Sequence, residues 1–227
     1  MSAIVPFRPL LAGATLRDRA VACVGALFGI GLTGLVSRAV LGVETPAALL
    51  LAAPMGASAV LLFAVPASPL AQPWPIVGGN VVAALVGVAV AHVVPDPMIA
   101  AALAVALAIA AMSACRCLHP PGGGTALVAA LGGPMLASHG FGYAMAPVAI
   151  NAVLLVLAGG LFHRLSGHSY PHRTSAPVPA PSPVITGADI DAALQTFGEP
   201  LDISRDDLRT VAELAATNAR IRTGRGA

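Results

Sequence analysis

The chain has 227 residues, of which 57% are apolar and only 10% are Asp, Glu, Lys or Arg, with a formal net charge of +2. Soluble domains carry about 25% of these charged residues, so the composition excludes an ordinary soluble globular protein. Between residues 45 and 162 the charged residues are Asp96 and Arg116. A stretch this poor in charge is typical of a chain solvated by lipid. We therefore expect an all-α membrane protein in contact with the bilayer and with no nucleic-acid partner.

The first apolar segment, residues 20–41, follows an arginine-containing segment, residues 1–19. This apolar run is too long for the core of a signal peptide, and it is therefore predicted to be a retained first span. Gly25 and Gly29 form a Gly-x-x-x-Gly pair, which favours close packing against another helix and is compatible with a homo-oligomer.

Helix breakers divide the next part of the chain. Residues 47–65 are apolar but are interrupted by Pro54-Met55-Gly56, which predicts a broken helix. Residues 76–94 and 98–114 are predicted to be the next two spans, separated by the turn Pro95-Asp96-Pro97.

A second breaker-rich segment follows the fourth span and reads Cys115-Arg116-Cys117-Leu118-His119-Pro120-Pro121-Gly122-Gly123-Gly124-Thr125. The apolar stretch after it ends near Leu131 and is too short to cross a hydrocarbon core of about 30 Å. Residues 143–161 are predicted to be the last span.

The arginines predict the topology. They precede the first span and follow the last, so the positive-inside rule predicts that both termini are cytoplasmic. The number of crossings is then even. Four full transmembrane helices plus two broken or re-entrant helices, and six crossings of unequal length, both satisfy this requirement. We expect a multi-pass protein of the bacterial inner membrane, with the membrane domain at residues 20–165.

The remainder of the chain has a different composition. Residues 166–185 are predicted to be a Pro-rich linker and residues 186–227 a soluble cytoplasmic tail. Thr186 with Asp189, and Ser204 with Asp207, have the spacing of capping boxes and predict two short amphipathic helices. These helices are too small to form a core alone, so they are expected to dock on the membrane domain, another domain or another subunit.

The two breaker motifs resemble each other. Pro54-Met55-Gly56 and Pro120-Pro121-Gly122 both precede small residues and an apolar helix, and each is followed by a span that bears one asparagine, Asn80 or Asn151. The membrane domain thus divides into two units of three elements, and an odd number makes the units an inverted repeat. The other interpretation is coincidence, because small residues abound in all membrane helices.

If the repeat is real, two helix starts face each other, and their free backbone N–H groups form an anion site. Glycines let the anion approach the backbone, while hydroxyl groups, a titratable His119 and the counter-charge of Arg116 add to the site. The predicted substrate-binding residues are Gly56, Ala57, Ser58, Asn80, Arg116, His119, Gly122, Gly123, Gly124, Thr125 and Asn151.

Plainer interpretations of these residues stay open. The two prolines before Gly122 are also typical of a simple helix start, and the glycines of close packing. An arginine buried in the membrane is costly and typically functional or paired, but Arg116 reaches the cytoplasmic interface if the fourth span ends there. The two asparagines are also typical donors of hydrogen bonds between helices. Cys115-x-Cys117-x-His119 suggests a metal, but alternate residues of a helix point apart and a fourth ligand is missing, so neither a metal nor a cofactor is predicted.

Residues 54–94 and the stretch Arg116-Cys117-Leu118-His119-Pro120-Pro121-Gly122 resemble the HPP family of integral membrane proteins, which is named after its His-Pro-Pro tripeptide. The resemblance covers about residues 16–165. It implies a bundle described as four transmembrane helices and, for some plastid and cyanobacterial members, nitrite transport. Residues 189–204 look like the linker that precedes CBS domains in many bacterial members.

These observations predict a transporter or channel for a small monovalent anion, nitrite by resemblance, in which Arg116→Ala abolishes uptake. The alternative is a membrane-anchored regulatory or scaffold protein whose cytoplasmic tail binds a partner or sensor domain. An enzyme is not expected, because the sequence suggests neither a carboxylate pair nor a nucleophile–base pair inside the membrane.

Overall fold

The computed structural model describes residues 16–42, 51–173, 186–197 and 203–224, and within these ranges the regular structure is helical. Two long helices open with a π-helical turn, at Pro75–Gly79 and Ala144–Ala149. The helices are α1 (Leu16–Leu41), α2 (Met55–Ala64), α3 (Pro75–Val93), α4 (Pro97–Ala114), α5 (Pro120–Leu131), α6 (Gly133–His139), α7 (Ala144–Ser166), α8 (Gly187–Phe197) and α9 (Arg205–Gly224).

Four of these helices, α1, α3, α4 and α7, are long and apolar enough to cross a membrane. At about 1.5 Å per residue, α2 and α5 are roughly 15 and 18 Å long, well short of a hydrocarbon core of about 30 Å. The prediction of four full helices and two short ones is therefore confirmed. The first helix begins at Leu16 rather than at residue 20, since exposed Arg17 and partly exposed Arg19 continue it beyond the apolar segment.

Local capping determines where α4 begins. Asp96 Oδ1 accepts hydrogen bonds from the N–H groups of Met98 and Ile99, each at 2.9 Å. Pro97 occupies the first helical position, where its missing N–H is not needed.

Contacts between helix ends show that successive helices alternate in direction. His163 Nε2 near the end of α7 bonds the carbonyl of Leu62 near the end of α2, at 2.8 Å. Trp74 Nε1, just before α3, donates to the carbonyl of Cys115 just after α4, at 3.2 Å. Gly25, early in α1, packs against Phe63 at the end of α2. We call this end of the bundle, from which the tail departs, the tail end.

The two predicted units recur in the structure as α1–α2–α3 and α4–α5–α7. Helix α1 packs on α2 and α7, and α4 packs on α5 and α3. The first helix of each unit therefore packs on the second helix of its own unit and on the third helix of the other unit. Because α1 begins at the tail end and α4 finishes there, the units are antiparallel. The third helix of each unit starts with a π turn, after which Asn80 is the first residue of the regular helix and Asn151 the second. The repeat is therefore visible in the helix order, in the packing and in the local geometry.

Small residues let α1 approach its neighbours. A Cβ on Gly29 would lie 2.5 Å from the Phe63 ring, and one on Gly25 would be equally close. The buried residues of α1 are Ala22, Gly25, Gly29, Thr33 and Ser37. The predicted Gly-x-x-x-Gly packing is thus confirmed within one chain, against α2.

Both predicted tail helices are present with their capping boxes. Thr186 N–H donates to Asp189 Oδ2 at 2.7 Å, and Asp207 N–H donates to Ser204 Oγ at 3.0 Å. Helix α9 contacts His172, in the segment after α7, whose Nε2 lies 2.9 Å from both carboxylate oxygens of Asp207. The backbone N–H of His172 in turn donates to Oε1 of Gln72, in the membrane domain, at 2.9 Å. The expected docking of the tail on the membrane domain is therefore observed at this point.

Candidate functional site

The two helix breaks lie side by side. A Cβ on Gly124 would stand 3.7 Å from Cγ of Pro54, which is ordinary van der Waals contact. One turn further along α2, Ser58 Oγ lies 2.9 Å from Nε2 of His119, which immediately precedes α5. Residue numbers increase along α2 in the direction in which they decrease along α5. The first turns of the two short helices therefore pack antiparallel.

An open cavity of about 460 Å³ marks the place where the breaks meet. Its walls come from the first turns of α2 and α5 and are mostly apolar. The lining residues are Pro54, Ala57, Val60, Leu61, Pro120, Pro121 and Gly124. We call this cavity the break groove. Of the predicted binding residues, it contains Ala57 and Gly124.

A polar cluster is buried behind the break groove and is built around His119. The imidazole is fully buried, with Nε2 at 2.9 Å from Ser58 Oγ and Nδ1 at 2.8 Å from the carbonyl oxygen of Leu70. Since a carbonyl oxygen only accepts, Nδ1 carries the proton. Nε2 of the neutral ring is then the acceptor for the Ser58 hydroxyl, an assignment made from the hydrogen-bond partners.

Asn80 connects the histidine to α5. Its Nδ2 donates to the carbonyl of Ile76 at 2.8 Å and to Ser58 Oγ at 3.4 Å, while its Oδ1 accepts from Thr125 Oγ1 at 2.6 Å. Like His119, the side chains of Ser58, Asn80 and Thr125 are fully buried. We call these four residues the His119 cluster. The sequence predicted all four, and the structure brings them together from α2, α3 and the start of α5.

Close backbone packing holds the histidine in place. A Cβ on Gly79 would lie 2.6 Å from both the Cβ of His119 and the carbonyl oxygen of Cys117. A Cβ on Gly122 would lie 2.7 Å from Sδ of Met112. Gly79 therefore lets the π turn of α3 touch the segment that carries His119, and Gly122 serves packing against α4.

Four backbone N–H groups at the helix starts are engaged within the chain, contrary to the expectation that they stand free. Those of Met55, Gly56 and Ser58 donate to the carbonyls of Ala52, Ala53 and Pro54. The Gly122 N–H donates to the carbonyl of His119 at 2.8 Å, and two prolines precede it without any N–H to offer. Turns formed just before each helix thus supply acceptors that the sequence pattern did not predict.

Arg116 lies apart from the His119 cluster. It is exposed in the turn after α4 and has a positive φ of 54°. That turn belongs to the tail end, where Arg17, Arg19, Arg164 and Arg173 also lie. The plainer interpretation of Arg116, as a residue at the membrane interface, fits this position.

Asn151 belongs to a second polar contact. Its Oδ1 accepts from the N–H of Ala52 at 2.8 Å, and its Nδ2 donates to Ser37 Oγ at 2.8 Å. Thr33, one turn before Ser37, is also fully buried. Asn151 therefore ties α7 to α1 and to the residues just before α2, as an inter-helix bond.

The contact between Ser58 and His119 is a nucleophile–base pair that the sequence did not suggest, because 61 residues separate its members. Both side chains are fully buried, and Ser58 Oγ also receives Asn80 Nδ2. Nearby, Cys117 is buried and Cys115 is exposed, so the two thiols face different surroundings.

Three contributors to these sites escaped the sequence interpretation. The Leu70 carbonyl fixes the tautomer of His119, Gly79 admits the ring, and Ser37 binds Asn151. Ser37 alone had a recognisable signal, because it continues the four-residue spacing of Gly25, Gly29 and Thr33 along α1.

Comparisons with known proteins agree with the helical architecture. Two curated relatives, both described as transmembrane proteins of Dictyostelium discoideum, are 43% identical over 105 residues and 38% identical over 120 residues. These matches cover 44% and 51% of this chain, and 33% and 42% of the relatives' own length. No solved structure matches the chain. The family model described as "HPP, transmembrane region" matches residues 12–171, most of the chain, and the protein is therefore a multi-pass membrane protein that belongs to the HPP family.

Proposed function

We propose that this protein is a transporter or channel for a small monovalent anion, and that the anion binds at the His119 cluster after entering through the break groove. The main support is the convergence of two antiparallel helix breaks on one buried polar cluster. Polar side chains deep in a membrane domain are expensive and are typical of a solute pathway.

The side chains of the cluster supply suitable anion ligands. Ser58 and Thr125 carry hydroxyl donors, Asn80 an amide donor and His119 an imidazole N–H. In the observed arrangement these donors are engaged with one another and with the carbonyls of Leu70 and Ile76. An entering anion replaces the acceptors Asn80 Oδ1 and Ser58 Oγ, and the donors turn to it. Side chains, rather than free helix-start amides, are thus the ligands in this proposal.

Arg116 has a different part in the proposal. Together with the other tail-end arginines, it predicts that this end faces the cytoplasm, as the positive-inside rule requires. A surface rich in arginine also raises the local concentration of anions near the tail-end mouth. Location in a bacterial inner membrane, with both termini cytoplasmic, is part of the proposal.

A flux assay with purified protein in liposomes tests the function. Uptake of nitrite, nitrate, chloride and formate is compared between liposomes with and without protein. We expect protein-dependent uptake of at least one of these anions, with nitrite as the first candidate because of the family resemblance. Ser58→Ala combined with Thr125→Val, which removes both hydroxyls, is expected to abolish it. Absence of uptake by the folded wild-type protein would contradict the proposal.

A specific observation also favours the alternative of a regulatory or scaffold protein. Helix α9 exposes Val211, Leu214 and Ile221 at helical spacing although it contacts the membrane domain through Asp207. An exposed apolar stripe is typical of a protein-binding surface. Removal of residues 186–227 separates the two functions, because transport is expected to survive it and partner recruitment is not.

We propose no enzymatic activity, and the Ser58–His119 pair offers a direct test of this expectation. A serine-reactive fluorophosphonate labels an activated serine covalently. We expect no labelling of Ser58 in the folded protein, because its hydroxyl is buried and occupied. Stoichiometric labelling that His119→Gln prevents would favour an intramembrane hydrolase over a transporter.

A further inference from the structure

We propose that His119 couples anion passage to a proton, so that one proton travels with each anion. This inference rests on the proposed function of the His119 cluster. Its basis is the Ser58 hydroxyl, which has two alternative acceptors and lies beside His119, the one titratable side chain of the cluster. Ser58 Oγ lies 2.9 Å from His119 Nε2 and 3.3 Å from the carbonyl oxygen of Pro54.

The empty cluster has one consistent arrangement of protons. His119 Nδ1–H donates to Leu70, and the Ser58 hydroxyl donates to Nε2. Ser58 Oγ in turn accepts from Asn80, whose Oδ1 accepts from Thr125. Every polar atom of the four side chains is engaged in this arrangement. The observed hydrogen bonds therefore suit a neutral histidine.

The same residues accommodate a protonated histidine with a single hydroxyl rotation. An incoming proton binds the lone pair of Nε2, so that both ring nitrogens become donors. The Ser58 hydroxyl then turns from His119 to the carbonyl of Pro54, and its oxygen accepts from the new Nε2–H until the entering anion replaces it as the acceptor. No covalent bond of Ser58 breaks, and the positive charge rests on the imidazolium. Release of this proton from the ring restores the empty arrangement.

Charge balance explains why the proton accompanies the anion. An isolated anion is expensive to bury in a low-dielectric site, and so is an isolated imidazolium, but the pair is much less so. The other three side chains of the cluster are neutral, and Arg116 is exposed outside it. The imidazolium is therefore the counter-charge that these residues can supply. Both the empty site and the loaded site then have no net charge.

The described surroundings of His119 contain few groups that compete for the proton. On the segment between α4 and α5, Cys117 is buried, while Cys115 and Arg116 are exposed. The other titratable groups on α3 and α4 are His92, near the end of α3, and Asp96, which caps α4, and both lie at the opposite end of the bundle. Helices α2 and α5 and the described residues 65–74 carry none.

The two ring nitrogens have different parts in this proposal. Nδ1–H stays bonded to the carbonyl of Leu70, in the loop at the tail end, whereas Nε2 faces Ser58. The transported proton therefore binds to Nε2 and leaves from Nε2 when access changes. The tautomer held by the Leu70 carbonyl is the one present at the start and at the end of the cycle.

Proteoliposomes loaded with a pH-sensitive dye test the coupling. An inward gradient of nitrate or chloride is imposed, and anion uptake and internal acidification are recorded together. These anions of strong acids are preferred because nitrous acid crosses lipid unaided; nitrite is measured beside protein-free liposomes. We expect acidification to match anion uptake and the uptake rate to be unaffected by an imposed membrane potential. Anion uptake without proton movement would overturn this inference and leave the proposed transport intact.

Variants then assign the coupling to His119. His119→Gln is expected to lose protein-dependent acidification. Ser58→Ala keeps the histidine but removes the hydroxyl that rotates, and it is expected to slow anion uptake and acidification together. The matched control is His92→Gln, which removes an exposed histidine with a comparable bond from Nδ1 to the carbonyl of Val88, at 2.7 Å. Unchanged coupling in folded His119→Gln would overturn the assignment. If that variant does not fold, His119→Asn is measured in its place with the same two outcomes. No anion uptake by the folded wild type would overturn the proposed function and this inference with it.

Discussion

Asn80 and Asn151 occupy equivalent positions in the two units, yet they bind different kinds of partner. Each lies in the first turn of the regular helix that follows a π turn, and each is fully buried. Asn80 links Ser58 to Thr125 through side chains, whereas Asn151 holds the N–H of Ala52 and the hydroxyl of Ser37. The repeat therefore provides one functional cluster and one structural tie, and the two asparagines form a natural pair for comparison.

Replacement of Asn80 is expected to affect both stability and transport. Asn80→Ala leaves the Thr125 hydroxyl with only its 3.4 Å contact to the carbonyl of Pro121, and we expect the free energy of unfolding to fall by about 1–2 kcal/mol. Uptake is expected to fall strongly because a proposed anion donor is lost. Asn151→Ala is the matched control and should destabilise similarly while it keeps the order of anion preference. Thermal unfolding in detergent and uptake across the anion panel measure the two effects. An unchanged preference in Asn80→Ala would remove this residue from the site.

Gly79 is expected to tolerate no side chain. The Cβ of Gly79→Ala would press on His119 and on the backbone of Cys117, so we expect destabilisation of about 1–3 kcal/mol. Gly31→Ala is the control, because nothing lies within 4 Å of its added Cβ. Unfolding temperatures of the two variants in the same detergent provide the comparison. Equal temperatures would show that the approach of α3 to His119 is not tight.

Arg116 now has an expected role at the surface. Glycine accepts a φ of 54° readily, so Arg116→Gly is expected to fold. Because the guanidinium lies outside the cluster, we expect the maximal uptake rate to persist. The half-saturating anion concentration should rise a few-fold at low salt and approach the wild-type value at high salt, where surface charge is screened. This replaces the expectation of abolished uptake. Loss of all uptake in folded Arg116→Gly would return Arg116 to the binding site.

The contact between the tail and the membrane domain is expected to weaken in acid. Burial raises the pKa of Asp207, but hydrogen bonds from Ser204 and His172 and the attraction of His172 outweigh it, so the pKa lies below its usual range. The stabilisation is therefore present above the usual Asp pKa of about 3.9 and is lost as pH falls through the lower folded value. Asp207→Asn should mimic this loss at neutral pH.

Limited proteolysis of the tail measures this effect. Asp207→Asn is expected to speed cleavage within residues 203–224, and Asp206→Asn, on the same helix turn, is the control. Equal cleavage rates for the two variants at neutral pH would contradict a docking role for the bond to His172.

The hydrophobic pattern predicted the long helices well. Residues 98–114 and 76–94 were expected as spans, and the helices are Pro97–Ala114 and Pro75–Val93. Sequence is informative here because long apolar runs and proline boundaries act locally. The capping boxes of the tail are confirmed for the same reason.

The candidate site was only partly predictable. Ser58, Asn80, His119 and Thr125 stood out as polar residues among apolar ones, and they do converge. Their bonding pattern was not predictable, because it depends on the Leu70 carbonyl and on contact at Gly79, which only tertiary packing creates. The expectation of free backbone amides was wrong at Met55, Gly56, Ser58 and Gly122, because carbonyls in the turns before each helix accept their hydrogen bonds. The substrate stays a prediction.

Accessibility of the break groove during transport tests the central claim most directly. Gly124→Cys, in a variant whose three native cysteines are replaced, places a thiol beside Pro54. We predict that a small neutral maleimide reacts with it, blocks anion uptake and reacts more slowly when the transported anion is present. Gly31→Cys, on an open surface of α1, should react without effect on uptake. Complete modification of Gly124→Cys with normal uptake and no protection by any anion would contradict the placement of the pathway at this groove.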